Sequence, residues 1–137
     1  MAKTVMITGA GSGFGKGAAL ALAARGHAVI ATTETDDQAT ALRAEAPQLR
    51  VEKVDITNAT DVAKIGDWDI DVLINNAGAG KTGPMVDVPL DVVRHVFEVN
   101  VFGTLAVTQA AAPKMIAKGS GRIIIVSSIA GVMSGPS

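Results

Sequence analysis

The 137 residues contain no cysteine and no tyrosine. The first absence excludes a disulfide scaffold, a thiolate metal site and a cysteine nucleophile. The second removes a phenol from any acid–base chemistry these residues could perform. Aromatic residues make up only 3%, so Val, Ile, Leu and Ala must fill the core. Charge is sparse as well. Charged residues make up 18% and the formal net charge is -1, which leaves no electrostatic footprint for nucleic acid or a membrane surface. The longest apolar stretch, Ala18–Ala31, is broken by Arg25, Gly26 and His27, so it does not read as a bilayer span. No apolar leader follows the opening Met1-Ala2-Lys3, and the expected location is cytoplasmic. What is present is a chain 48% hydrophobic, too apolar for disorder. Its length suits one domain over 1–137 that buries roughly two-thirds of its unfolded surface.

Short apolar runs alternate with segments of helical period, the pattern of a parallel sheet with crossover helices. Strands are expected at Thr4–Thr8, Ala28–Thr32, Leu49–Val54, Val72–Asn75 and Ile123–Val126. The third alternates with Arg50, Glu52 and Lys53 and so reads as an edge strand. The fifth reads as buried. Helices are expected at Ala18–Arg25, stopped by Gly26, and from a cap at Thr35 or Asp36 to Ala46, ended by Pro47. A short helix fits around Asp61–Ile65, and a long one runs from Leu90 to Lys118, with Pro113 expected to kink it or end its regular part. Trp68 reads as a lid on the sheet edge. The doubly wound parallel sheet that results has the order 3-2-1-4-5.

One cluster carries chemistry most clearly. Thr8-Gly9-Ala10-Gly11-Ser12-Gly13-Phe14-Gly15 follows a strand and opens a helix. Pyrophosphate binding needs that context: free N–H groups at a helix start and no Cβ in the way. The spacing is T-G-x-x-x-G-x-G rather than G-x-G-x-x-G. Gly78-Ala79-Gly80-Lys81-Thr82 resembles the end of a phosphate loop, but its first glycine would fall on Asn75, and Gly83-Pro84 follow it. His27 and His95 lack partner spacing for acid–base work and read as surface or core-edge residues. No metal-ligand constellation is visible.

With the T-G-x-x-x-G-x-G loop, Asp55 after the third strand, Asn75-Asn76-Ala77-Gly78 after the fourth, Asn100 in the long helix and Ser127-Ser128 after the fifth, the chain resembles the short-chain dehydrogenase/reductase family. The resemblance implies a Rossmann-type fold and an NAD(P)-dependent oxidoreductase that moves a hydride between nicotinamide and an alcohol or ketone. It assigns cofactor binding to Gly9, Gly11, Ser12, Gly13, Phe14 and Gly15, to Thr33 and Glu34, to Asp55 and Ile56, and to Asn76, Ala77 and Gly78. Catalysis falls to Asn100 and Ser128. Each has a plainer reading: the asparagines as strand-end residues bonded to backbone, Asn100 as a structural helix residue, and the serines as turn residues. The partners implied are a small-molecule alcohol or ketone and a second copy, as homodimer or homotetramer, with no nucleic acid and no membrane.

Two departures qualify the resemblance. The family's Tyr-x-x-x-Lys pair would lie about a dozen residues past Ser128, so residues 1–137 are expected to be the N-terminal half of a typical member and inactive alone. A non-catalytic dinucleotide-binding module, a sensor or scaffold, is the alternative. The connection from Asp55 to Asp71 is also shorter than the family's usual crossover. The cofactor type turns on Thr33 and Glu34. A carboxylate accepts from a ribose hydroxyl and repels a 2′-phosphate, and no basic residue stands between His27 and Arg43. NAD(H) is therefore expected modestly ahead of NADP(H).

Overall fold

A computed structural model describes residues 2–80 and 85–127. Five parallel strands, β1 (Thr4–Ile7), β2 (Ala28–Thr33), β3 (Arg50–Lys53), β4 (Val72–Asn75) and β5 (Arg122–Ile125), form one sheet in the order β3-β2-β1-β4-β5. The helices are α1 (Gly13–Ala24), α2 (Asp36–Glu45), α3 (Ala59–Ala63), α4 (Leu90–Phe97) and α5 (Thr104–Lys118).

Side chains alternate across the strands, and this splits the core in two. Val5, Ile7, Val29, Ala31 and Val51 face Ala19 of α1 and Ala39 and Leu42 of α2. Met6, Ile30 and Leu73 face the other layer, where Val62, Ile65, Val107, Ala111 and Met115 close over them. Because the same strand bears one residue for each layer, helices are required on both faces. The Asp55–Asp71 connection still supplies part of the second layer, through α3 and a 3₁₀ turn at Lys64–Asp67. Trp68 packs beside that layer, and the Arg50 guanidinium lies 5.0 Å from its ring centroid.

Local sequence explains the helix ends. Thr35 caps α2 with a capping box: its hydroxyl accepts from Gln38 N–H while the Gln38 amide oxygen accepts from Thr35 N–H. Asn58 caps α3 by accepting from Asp61 N–H. Gly119, with φ 74°, ends α5 in a left-handed residue.

Four expectations need correction. First, α1 starts at Gly13, inside the glycine cluster and five residues before Ala18. Second, the long helix is interrupted at a π-helical segment, Glu98–Gly103, and α5 runs through Pro113 to Lys118. The tertiary contacts of Asn100 and Gly103, described below, set that break. Third, β5 is not buried. Ile123 and Ile124 are 39% exposed and Ile125 is 63% exposed, because β5 pairs only with β4 and no described helix covers it. Fourth, β3 covers only Arg50–Lys53 of the expected Leu49–Val54. The buried positions of the long helical stretch are Gly103, Val107, Ala111 and Met115. Among the described residues no helix is long and apolar enough to cross a membrane.

Candidate functional site

The C-terminal ends of β1, β2 and β4 border a cleft of about 360 Å³ at the point where the strand order reverses. Thr8, buried beside it, joins two of its walls. That residue is 1% exposed, and its hydroxyl accepts from the N–H groups of Asn76 (3.0 Å) and Ala77 (2.9 Å). Asn76 answers with its amide, donating to the carbonyls of Thr8 (3.2 Å) and Gly9 (3.1 Å). The two loops are thereby tied across the switch point.

The tie explains two glycines. Gly9 has φ 66°, and a Cβ there would lie 2.8 Å from the Ala77 Cα. A Cβ on Gly15 would collide with the Asn76 amide nitrogen and the Gly9 carbonyl. No side chain fits at either place. The loop then feeds α1 from Ser12, an extended N-cap (φ -164°) whose side chain makes no capping bond. The first N–H groups of α1 are left without a side-chain partner, as an anion would require. A glycine cradle, an uncapped helix start and an open cleft fit the pyrophosphate of a dinucleotide.

The rest of the cleft is built from three sides. Glu34 and Gln38 stand on one, Val54, Asp55 and Ile56 on the second, and His95 and Val99 of α4 and the π segment on the third. Asp55 holds an Asx turn, its Oδ1 accepting from Thr57 N (2.9 Å) and Thr57 Oγ1 (2.7 Å). Behind it, Asp61 is 6% exposed and accepts from Lys53 Nζ (2.7 Å) and Asp55 N–H (3.0 Å), with Lys64 Nζ at 3.4 Å. The hydrogen bond from Lys53 is the main cause that holds the Asp61 carboxyl below its usual range, and the same bond raises the Lys53 ammonium.

Asn100 reaches the cleft from the π segment. Its Oδ1 accepts from Ala79 N–H (2.8 Å) and its Nδ2 donates to Ala79 O (2.7 Å). Both functions of the amide are spent clamping the loop after Gly78. Gly103, the last residue of the break, lets the segment lie against Ile56, since a Cβ there would be 2.8 Å from Ile56 Cδ1. The extra residue of a π turn allows both contacts from one helix, as π turns at functional sites often do.

Of the residues singled out from sequence, Gly9, Gly11, Ser12, Glu34, Asp55, Ile56, Asn76, Ala77 and Gly78 are gathered at the cleft wall. Gly15 lies buried behind it, Gly13 takes φ 58° at the start of α1, and Phe14 is 66% exposed, outside the wall. Thr33 is also outside it. Its side chain is 1% exposed, and its hydroxyl donates to Thr35 O at 3.1 Å. Asn75 ties β4 to α5 by donating to Thr108 Oγ1 (3.2 Å). Ser127 is exposed past β5, while Ser128, Gly131 and Lys81 lie outside the described residues. The sequence pattern gave no binding role to Gln38, Val54, Val99 and His95, and gave Thr8 only as the first residue of the glycine motif. His95 is exposed at the cleft rim rather than on an outer surface; the period of α4 alone could not tell those two faces apart. Among the described residues there is no cluster of metal-binding side chains.

Comparison with known proteins agrees with this architecture. An uncharacterized oxidoreductase of Bacillus subtilis is 37% identical over 98% of the chain and 51% of its own length. The structure of NAD+-bound xylitol dehydrogenase superposes with a TM-score of 0.87 at 31% identity, over 98% of this chain and 56% of that one. Serine dehydrogenase complexed with NADP+ gives 0.87 at 27% identity, over 96% and 56%. The chain spans about half the length of the curated relatives it matches. A family model described as short chain dehydrogenase matches residues 3–137, so the strand order, the tied glycine loop and the sequence agree that this chain belongs to the short-chain dehydrogenase family.

Proposed function

We propose that the protein is an NAD(P)-dependent oxidoreductase whose residues 1–137 form the dinucleotide-binding domain. The cleft in which Gly9 and Gly15 press against Asn76 and Ala77, below the uncapped start of α1, carries this reading. Gly11, Ser12 and the first N–H groups of α1 would hold the pyrophosphate. Asp55 and Ile56 would hold the adenine, and Asn76, Ala77 and Gly78 the path toward the nicotinamide. When bound, the nicotinamide supplies or accepts the hydride.

This chain's own part is to bind, orient and exclude water. Asn100 positions the 77–80 loop, and Ser128 is proposed to hold the oxygen of a small alcohol or ketone. Proton transfer would need the family's Tyr and Lys, and these 137 residues contain no Tyr, so on this reading they bind the cofactor without turnover by themselves. Assembly as a homodimer or homotetramer is supported by an exposed apolar row, Phe97, Val101 and Leu105, on the outer side of the long helix. A cytoplasmic location belongs to the same reading.

For the cofactor, Glu34 at the cleft favours NAD(H). A carboxylate about 4 Å from a unit negative charge costs roughly 4 kcal/mol at an effective dielectric of 20. Glu34 is exposed and can swing aside, which makes the preference modest. The test is titration of the full-length protein with both dinucleotides, followed by reduced-nicotinamide absorbance against a panel of ketones. Saturable binding of NAD(H), somewhat tighter than NADP(H), is expected, as is turnover that falls sharply in Ser128→Ala. Binding of neither dinucleotide would overturn the reading.

A further inference from the structure

The N-terminal turn of α2 does more than begin a helix. Gln38 Oε1 accepts from two backbone N–H groups, those of Glu34 (3.1 Å) and Thr35 (3.2 Å), and Gln38 N–H donates to Thr35 Oγ1 (3.2 Å). Two donors on one oxygen settle which end of the amide is which. The NH2 group therefore faces away from the turn, and it has no hydrogen-bond partner among the described residues. The side chain lies along the glycine loop, where a Cβ on Gly11 would meet the Gln38 Cδ at 3.4 Å. It shares the cleft wall with Glu34 and Ser12. The cleft wall thus carries both the neutral donor of Gln38 and the acidic residue Glu34.

We infer that Gln38 is a specificity-determining residue for the 2′ position of the adenosine ribose, an inference that rests on the dinucleotide reading above. A 2′-hydroxyl can donate to Glu34 and accept from the Gln38 amide. A 2′-phosphate only accepts: it takes the same amide hydrogen bond and is repelled by Glu34. The two side chains therefore oppose one another toward the phosphate and cooperate toward the hydroxyl. The amide needs no reordering to do this, because its oxygen is already anchored. With no lysine or arginine among the described residues that line the cleft, this arrangement would give a modest rather than absolute preference.

Gln38→Glu removes the donor and adds a negative charge, and Gln38→Met removes the donor without adding charge. Glutamate is equally suited to the N3 place of a capping box, so the turn keeps its acceptor oxygens while the cleft loses the NH2. The probes are 5′-AMP and adenosine 2′,5′-bisphosphate, titrated calorimetrically into the full-length protein, with Gln38→Met as a neutral second variant. In Gln38→Glu, the bisphosphate should lose at least about tenfold more affinity than 5′-AMP, with the melting temperature held. The difference should persist at about 1 M salt, where screening acts over roughly 3 Å. Gln38→Met should weaken both ligands, the bisphosphate more. Equal losses for the two ligands, no loss, or a difference abolished by salt would overturn the role of Gln38. Failure of the parent protein to bind either probe would instead overturn the dinucleotide reading, and the inference with it.

Discussion

Replacement of Asp61 tests how the Asp55 side of the cleft is held. Its carboxylate, 6% exposed, is the acceptor for Asp55 N–H and the partner of Lys53 and Lys64. Alanine would leave the Asp55 N–H unsatisfied beside the cleft and remove one hydrogen bond to a charged group, which together come to about 2 kcal/mol. For a domain of this size that is a fall of about 6 °C in melting temperature. Asp61→Asn, which keeps an acceptor, should lose less. The pH dependence separates charge from shape. The folded pKa of Asp61 lies below its ordinary 3.8, so its contribution is present above about pH 4 and is lost as pH falls through the folded value. That of Lys53 lies above 10.5, so its contribution is present below 10.5 and is lost as pH rises through the folded value. The gap in melting temperature between the parent and Asp61→Asn should therefore be flat from about pH 5 to pH 9 and close at both ends. Thermal melts extended beyond both ends of that range, below the ordinary 3.8 of Asp61 and above the ordinary 10.5 of Lys53, with titration of the dinucleotide at neutral pH, are the assay. A gap that does not narrow in acid would refute the ion pair as the source. Unchanged dinucleotide affinity in Asp61→Ala would refute its role in placing Asp55.

Two further outcomes follow from the ties around the cleft. Thr8→Val should strand the N–H groups of Asn76 and Ala77 and cost about 3 kcal/mol by urea denaturation. Thr8→Ser, which keeps the acceptor, should recover most of that, and a valine variant as stable as the serine one would dismiss the tie. Gly103→Ala should cost about 2 kcal/mol through overpacking against Ile56. In an Ile56→Ala background the penalty should largely disappear, and a fully additive double-mutant cycle would place the strain elsewhere.

Much of this protein is local and so is legible in a single sequence. Apolar runs of about four residues, Pro47, Gly26 and Thr35 mark where strands and helices alternate. That alternation implies the parallel sheet, and the family resemblance supplied its order. Charged residues in Arg50–Lys53 marked an edge, and the Thr8–Gly15 cluster marked the tight turn into α1 at the cleft, because glycine spacing reports backbone geometry directly. The rest depended on contacts between distant segments. Thr8 reads as any strand-end threonine until Asn76, 68 residues away, bonds to it. Asn100 lies 21 residues from Ala79, and only their mutual hydrogen bonds explain a π turn where the sequence pointed to Pro113. Gln38 reads as an ordinary helix residue, and only the folded chain lays it against Gly11 on the cleft wall it shares with Glu34. Residue type sets what a side chain can donate or accept; only the folded chain decides which of those groups the backbone consumes and which are left facing the cleft.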